Sequence, residues 1–134
     1  MYNLKKGEKM KKITYMPEGA SIVGPYSPAV DAGDLIYFSG QIPIDSSSGK
    51  IIAGDIKDQT KKCLENLTLV LKAANLTSDN IVKSTVYLTD INDFKAVNEV
   101  YGEYFNSPYP ARTAIAVLAL PLGANVEIEV IARK

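Results

Sequence analysis

The segment VEIEVIA, residues 126–132, constrains the fold more than any other, because charged and apolar residues alternate in it. Glu127 and Glu129 stand between valines and isoleucines, and residues two apart in a strand project from the same face. Burying a carboxylate is costly unless another group pairs with it. The segment therefore predicts a β-strand with both glutamates on one face. A second segment, PARTAIAVLALP at residues 110–121, also places a charge among apolar residues, since it contains Arg112.

Composition narrows the chemistry that is open to the chain. Its 134 residues include no histidine and a single cysteine, Cys63. The common zinc sites, the Ser-His-Asp triad, the Cys-His pair and an internal disulfide are therefore excluded. Acid–base chemistry falls to carboxylates, tyrosine, lysine, backbone groups or bound water, and we expect neither a metal nor a cofactor.

Charge and hydropathy restrict the partners and the location. Fifteen basic and fifteen acidic residues give a net charge of zero, whereas proteins that bind nucleic acid usually carry a basic surplus. No apolar run reaches the length of a membrane span, and no apolar stretch follows the N-terminal lysines as in a secretory signal. We therefore expect a cytoplasmic protein, with nucleic acid an improbable partner and no membrane partner.

The length of 134 residues predicts one domain, which we place at residues 13–134 after a flexible extension, residues 1–12. The stretch 17–34 is rich in Pro, Gly and Ser and is predicted to be mostly loop. Strands are predicted from their apolar, β-branched and aromatic residues at 11–16, 35–44, 81–89, 112–118 and 126–132, with a short one after the turn at 45–50.

Two helices are predicted between the strands. The first runs from Asp55, as N-cap, to Ala74, with Asp58 in its first turn and Cys63 on its apolar face as a core residue. The second follows a cap at Asp90 and ends at SPYP, residues 107–110, because two prolines cannot continue a helix.

The order of these elements predicts an α+β fold with a partly parallel sheet and both helices on one face. Residues 112–118 are apolar on both sides of their strand. Two helices can cover only one face of a sheet, so we expect a homo-oligomer that covers the other.

Several motifs together resemble the RidA/YjgF family, also called the L-PSP endoribonuclease family. The resemblance covers residues 13–134, and its motifs are GPYSPAV (24–30), YFSGQIP (37–43), VNEVYGEYF (97–105), PARTAIAVLALP (110–121) and VEIEVIA (126–132). It implies a chorismate-mutase-like fold, a homotrimer whose sheets form a central barrel, and active sites between subunits. It also implies hydrolysis of reactive enamines and imines, such as 2-aminoacrylate, 2-iminopropanoate and 2-iminobutanoate, to 2-keto acids and ammonia.

The resemblance assigns the two main site residues. Arg112 is expected to anchor the substrate carboxylate, since a guanidinium binds a planar carboxylate through two parallel hydrogen bonds. Glu127 matches the family's water-holding glutamate and is expected to serve as acid and base. Glu129 matches no catalytic residue and is expected to be structural.

Further positions match the family's pocket. Tyr26 is expected to line it, Ser39 and Gly40 to bind the carboxylate, and Asn98 to contact the ligand, with less weight on Asn98 than on the others. Ala114 stands where many members carry a cysteine. A thiol-dependent mechanism is thereby excluded, while the Ala114 carbonyl can still accept a substrate N–H.

Two other functions remain open. The family's older name implies an endoribonuclease or translation inhibitor, which the lack of histidine and of net positive charge disfavours. A non-catalytic sensor of small carboxylic acids would need the same pocket residues, so the sequence does not separate it from the enzyme.

Overall fold

The computed structural model describes residues 5–7, 9–20 and 22–134. Eight strands lie within these ranges: β1 (Ile13–Tyr15), β2 (Ala29–Asp31), β3 (Leu35–Gln41), β4 (Ile44–Asp45), β5 (Lys50–Ile51), β6 (Ile81–Leu88), β7 (Ala111–Ala116) and β8 (Val126–Arg133). Six of them form one sheet in the order β1-β2-β3-β8-β6-β7, and β4 and β5 form a separate hairpin. Only the β6–β7 pair of the main sheet is parallel, so the predicted mixed sheet is confirmed.

Two of the predicted strands differ from those observed. The region predicted as loop contains β2, whose three residues between Pro28 and Gly33 are too few to show a period. The predicted strand 35–44 is divided into β3 and β4, with Ile42 and Pro43 between them. The register of β3 against β8 also shifts, between Phe38 and Gln41. The predicted flexibility of residues 1–12 stays a prediction, since residues 1–4 and 8 lie outside the described ranges.

Helix α1 (Ile56–Ala73) begins as the sequence predicts. Asp55 accepts a hydrogen bond from the Asp58 backbone N–H at 2.9 Å, and Asp58 accepts one from the Asp55 N–H at 3.1 Å. This reciprocal capping box satisfies two N–H groups that the first turn leaves without helical partners.

Helix α2 (Phe94–Tyr104) begins later than predicted. Asp90 caps a single 3-10 turn, Ile91–Asp93, by accepting from the Asn92 N–H at 2.9 Å, and α2 follows that turn. In the described part of the chain, neither helix combines the length and the apolar content needed to cross a bilayer.

Both helices pack on one face of the sheet, as predicted. The core there is formed by alternate residues of β8, Val126, Ile128, Val130 and Ala132, each at most 2% exposed. Cys63 of α1 is fully buried among them, and burial raises the pKa of its thiol. The prediction of Cys63 as a core residue is therefore confirmed, and the thiol is protonated and unreactive.

The opposite face of the sheet, called here the open face, carries the intervening residues. Lys83, Thr85 and Tyr87 of β6 lie there beside Glu127 and Glu129 of β8. The sequence predicted strands that are apolar on both faces, but the open face is more polar than that. Strand β7 is exposed along nearly its whole length, and the loops around it expose apolar side chains, with Leu118 fully exposed and Leu122 67% exposed.

A polar cluster joins the two ends of the domain. The Asp31 carboxylate accepts from the Tyr15 hydroxyl at 2.8 Å, the Gly33 N–H at 2.9 Å and the Lys134 ammonium at 2.6 Å. Only 5% of the Asp31 side chain is exposed. The hydrogen bond from Lys134, followed by those from Gly33 and Tyr15, lowers the pKa of Asp31 to about 2.

We predict that Asp31→Asn destabilises the protein at neutral pH and that the difference disappears in acid. A carboxylate whose pKa is depressed by folding stabilises the native state above its unfolded pKa of about 3.9, and that stabilisation is lost as the pH falls towards 2. The check is the urea midpoint of both proteins between pH 7 and pH 2. Asp34→Asn, an exposed neighbour, serves as the matched control. A difference that stays constant across this range contradicts the prediction.

Candidate active site

Arg112 lies on β7 and points to the helix side of the sheet. Its register partner on β6 is Ser84, which is fully buried and shares a 2.7 Å hydrogen bond with the Tyr101 hydroxyl of α2. The guanidinium donates from Nη1 to Asn98 Oδ1 at 2.7 Å. Its Cζ lies 4.7 Å from the centroid of the Tyr101 ring and 5.3 Å from that of Phe94.

Helix α2 thus holds the Arg112 side chain through contacts with Phe94, Asn98 and Tyr101. These residues are spaced four and three apart, which places them on one stripe of the helix. Aromatic faces attract the cation and the amide fixes its plane. A guanidinium carries five N–H donors, so the bond to Asn98 leaves donors for a planar carboxylate. Asn98 therefore contacts Arg112 in this chain, while its predicted contact with a ligand stays a prediction.

Ala114 lies two residues beyond Arg112 on the same face of β7. It pairs with Val86 of β6 and packs, half-buried, against the core. Its predicted role, acceptance of a substrate N–H by the backbone carbonyl, remains a prediction.

Glu127 lies on the open face at the centre of the sheet. Strand β8 runs between β3 and β6, and Glu127 stands opposite Tyr87. Burial, and secondly the negative charge of Glu129, raise the pKa of Glu127. A raised pKa lets a carboxyl group hold a proton more readily than an ordinary glutamate, and general acid–base catalysis uses such a group.

Gly40 is the surface against which the Glu127 side chain rests. A Cβ at position 40 would lie 2.2 Å from Glu127 Oε1 and 2.9 Å from its Cδ. Any larger residue there would displace the carboxylate. The sequence predicts Gly40 as a carboxylate-binding residue, and the structure shows in addition that it makes room for Glu127.

Ser39 and Tyr26 belong to the same side of the candidate site. The Ser39 hydroxyl donates to the Ser27 carbonyl at 2.6 Å, and the Ser39 N–H donates to the Pro28 carbonyl at 2.9 Å. These bonds fix the loop that carries Tyr26, whose side chain is 55% exposed. In this chain Ser39 thus holds the loop, and its predicted contact with a substrate carboxylate stays a prediction.

The predicted residues form two separate groups within one chain. The arginine half consists of Arg112, Asn98 and Ala114 on the helix side of β7. The glutamate half consists of Glu127 and Gly40 on the open face, with Ser39 adjacent to Gly40 in sequence and Tyr26 on the loop to which Ser39 is hydrogen-bonded. Because Arg112 and Glu127 project from opposite faces of the sheet, a single chain does not bring the two halves together.

Three residues near the site were not predicted as functional. Phe94 and Tyr101 lie four and three residues from Asn98, and this helical spacing alone could have placed them beside it. The hydroxyl of Tyr87 donates to Glu129 at 2.5 Å. This contact could not be predicted from the sequence, because only the pairing of the two strands brings the residues together.

Other parts of the surface contain fewer candidate groups. A groove of about 490 Å³ between α1 and α2 is lined by none of the predicted site residues, so we do not place the site there. Within the described ranges, no three His, Cys, Asp or Glu side chains converge as a metal site requires.

Comparison with known proteins identifies the family. A family profile described as "Endoribonuclease L-PSP" matches residues 18–134. A RutC family protein of Pyrococcus horikoshii is 47% identical, with 93% of this chain and 99% of that protein aligned. The human 2-iminobutanoate/2-iminopropanoate deaminase is 45% identical, with 92% and 90% aligned.

The solved structures agree with this result. A protein of the Rid family from Yersinia pestis matches with a TM-score of 0.88 and 44% identity, over 92% of this chain and all of that chain. The chain belongs to the RidA/YjgF family, whose profile carries the endoribonuclease description.

We predict that Gly40→Ala removes the imine-hydrolysing activity that the family resemblance implies, without unfolding the protein. The backbone at position 40 suits alanine, and the clash is with the flexible Glu127 side chain, which must swing away. The expected result is an unfolding free energy within about 1 kcal/mol of wild type and a kcat at least about a hundredfold lower. Urea unfolding and steady-state kinetics measure the two quantities. Gly102→Ala on α2, where a Cβ meets nothing within 4 Å, is the control and should keep wild-type kcat.

Proposed function

We propose that this protein hydrolyses 2-imino acids, and the 2-amino enoates that tautomerise to them, to 2-keto acids and ammonia. The observation that carries the proposal is Glu127, half-buried with a raised pKa and resting on a glycine where no other side chain fits. The deaminase name of a relative 45% identical over nearly the whole chain supports the same reaction.

The reaction requires one acid–base group and one anchor. Glu127 takes a proton from water as the water oxygen bonds to the imine carbon, and the C=N double bond becomes a C–N single bond. The same carboxyl group then returns the proton to nitrogen. Glu127 then carries the hydroxyl proton of the resulting carbinolamine to its NH2 group as the C–N bond breaks, so that ammonia leaves and the hydroxyl oxygen becomes the keto oxygen. Arg112 holds the carboxylate, so that the imine carbon stays within reach of the water.

We further propose that the complete site forms between subunits of a homotrimer. The arginine half and the glutamate half lie on opposite faces of one chain, so a neighbouring chain has to supply one of them. Strand β7, which carries Arg112 and Ala114, is exposed, and so are the apolar side chains of Leu118 and Leu122 in the segment that follows it. Exposed apolar surface of this kind is typical of subunit interfaces.

A coupled assay tests the reaction. A pyridoxal-phosphate-dependent dehydratase generates the imine in the presence or absence of this protein, and release of keto acid is followed over time. We expect wild type to accelerate release and Glu127→Gln to lower kcat more than it raises KM. The absence of any acceleration by the wild-type protein contradicts the proposed enzyme and favours the carboxylic-acid sensor.

The endoribonuclease description of the family calls for a parallel test with labelled RNA. We expect no cleavage above background. Cleavage by wild type that is lost in Arg112→Ala would establish a ribonuclease, whereas equal cleavage by both would indicate a contaminating nuclease.

Arg112→Lys is predicted to lose most of the activity although the charge is kept. A lysine cannot make two parallel hydrogen bonds to a carboxylate, and it loses the guanidinium that lies over the Tyr101 ring. Loss of about 2 kcal/mol or more corresponds to a fall in kcat/KM of about thirtyfold or more. Arg133→Lys, at an exposed position, is the control. Wild-type kcat/KM in Arg112→Lys would show that this arginine is not the anchor.

Light scattering at micromolar concentration is predicted to give three times the chain mass of 14.5 kDa. Leu118→Asp, which places a charge on a fully exposed apolar residue, should shift the mass downwards if that residue is covered by a partner. A monomer mass for wild type rules out both the trimer and the shared site.

A further inference from the structure

Tyr87 and Glu129 form a polar pair beside Glu127. Tyr87 stands directly opposite Glu127 in the antiparallel β6–β8 register, and Thr85 stands opposite Glu129. The Tyr87 hydroxyl nevertheless donates to Glu129, its diagonal neighbour, at 2.5 Å. A tyrosine hydroxyl has one hydrogen to give, so this bond withholds it from Glu127.

We propose that Glu129, held by Tyr87, is a positioning residue that keeps the Glu127 carboxylate over Gly40 and sets its readiness to take up a proton. The proposal rests on the imine-hydrolase function proposed above, and it assigns to that reaction a residue that the family resemblance leaves as structural.

The geometry gives the first reason. Glu127 and Glu129 are two residues apart on one strand face, and the Tyr87 bond fixes Glu129 in place. Two carboxylates at this spacing repel each other, so Glu127 is directed away from Glu129. Gly40 provides the space on that other side, where a Cβ would lie only 2.2 Å from Glu127 Oε1.

The electrostatics give the second reason. The hydrogen bond to Glu129 raises the pKa of Tyr87 to about 12, which reflects a hydroxyl donating to an ionised carboxylate. That ionised neighbour, after burial, is the second cause of the raised pKa of Glu127. Glu129 therefore acts on Glu127 through its negative charge, and Glu127 is the group that exchanges the proton.

Other groups near Glu127 do not offset this effect. On β6, the Lys83 ammonium faces the same side and donates to the Thr113 hydroxyl at 2.7 Å. From β3, the neighbour is Gly40, which carries no charge. From α1 below the sheet, Cys63 is neutral because burial raises the pKa of its thiol.

Titration of the Glu127 carboxyl group, in the wild type and in variants, tests the proposal directly. In protein labelled with ¹³C at the glutamate side chains, the titration midpoint of Glu127 should move to lower pH in Glu129→Gln, because the repelling charge has gone. Glu103→Gln removes the same charge from the other layer of the fold and should leave the midpoint unchanged. An unchanged Glu127 midpoint in Glu129→Gln, or an equal shift in Glu103→Gln, overturns the proposal.

Tyr87→Phe separates the hydroxyl from the packing of the ring. It should lower kcat about tenfold at constant KM, since misplacing a reacting group by an ångström can cost up to about a hundredfold. In a Glu129→Leu background, which leaves no acceptor for the hydroxyl at position 129, the same change should have no further effect, because the hydroxyl acts through Glu129. An equal effect in both backgrounds overturns the proposed role of Tyr87.

The two readouts also separate this proposal from the proposed function. If the wild-type protein does not accelerate imine hydrolysis, the proposed function fails and the catalytic part of this proposal fails with it. The Glu127 titrations still decide whether the charge of Glu129 raises the pKa of Glu127. A shifted midpoint in an active enzyme whose kcat does not change in Tyr87→Phe would overturn the positioning role alone.

Discussion

The alternation of apolar and charged residues in β8 is the constraint on which the rest of the structure depends. This strand lies inside the sheet, between β3 and β6, so a shift by one residue would turn every side chain to the wrong face. Val126, Ile128 and Val130 enter the core beneath the helices, each at most 2% exposed. Glu127 and Glu129 are thereby directed to the open face, whatever their function.

The position of Arg112 follows from a different rule. Strands β6 and β7 are parallel neighbours, and such strands need a crossover connection, which here contains α2. A residue on the helix side of β7 therefore meets α2, and Arg112 lies against Phe94, Asn98 and Tyr101. The helix that completes the crossover also holds the guanidinium. The separation of arginine and glutamate within one chain is thus built into the topology.

Much of this could be predicted from the sequence, because it depends on local rules. The period of residues 55–74 and the capping pair Asp55 and Asp58 define α1, and the alternation in β8 defines which face carries the glutamates. What could not be predicted depends on register and on distant contacts. Strand β2 is too short to show a period, Asp90 caps a 3-10 turn before α2, and the Tyr87–Glu129 bond exists only because β6 lies beside β8. The division of the site between two faces became visible only with the sheet order.

Charged residues in a central strand weaken a fold. Sequences depart from the usual pattern of apolar and polar residues mainly at functional sites, where such residues have a role. In the single chain, Glu127 is only half-buried, so water still offsets part of the cost of its charge. In the proposed trimer, a partner chain that covers the open face would remove more of that water. Loss of water favours the protonated form of a carboxyl group, so burial would raise the pKa of Glu127 further. Assembly would then supply both the arginine that binds the substrate and the environment in which Glu127 can exchange a proton, which couples catalytic competence to the oligomer rather than to the folded chain.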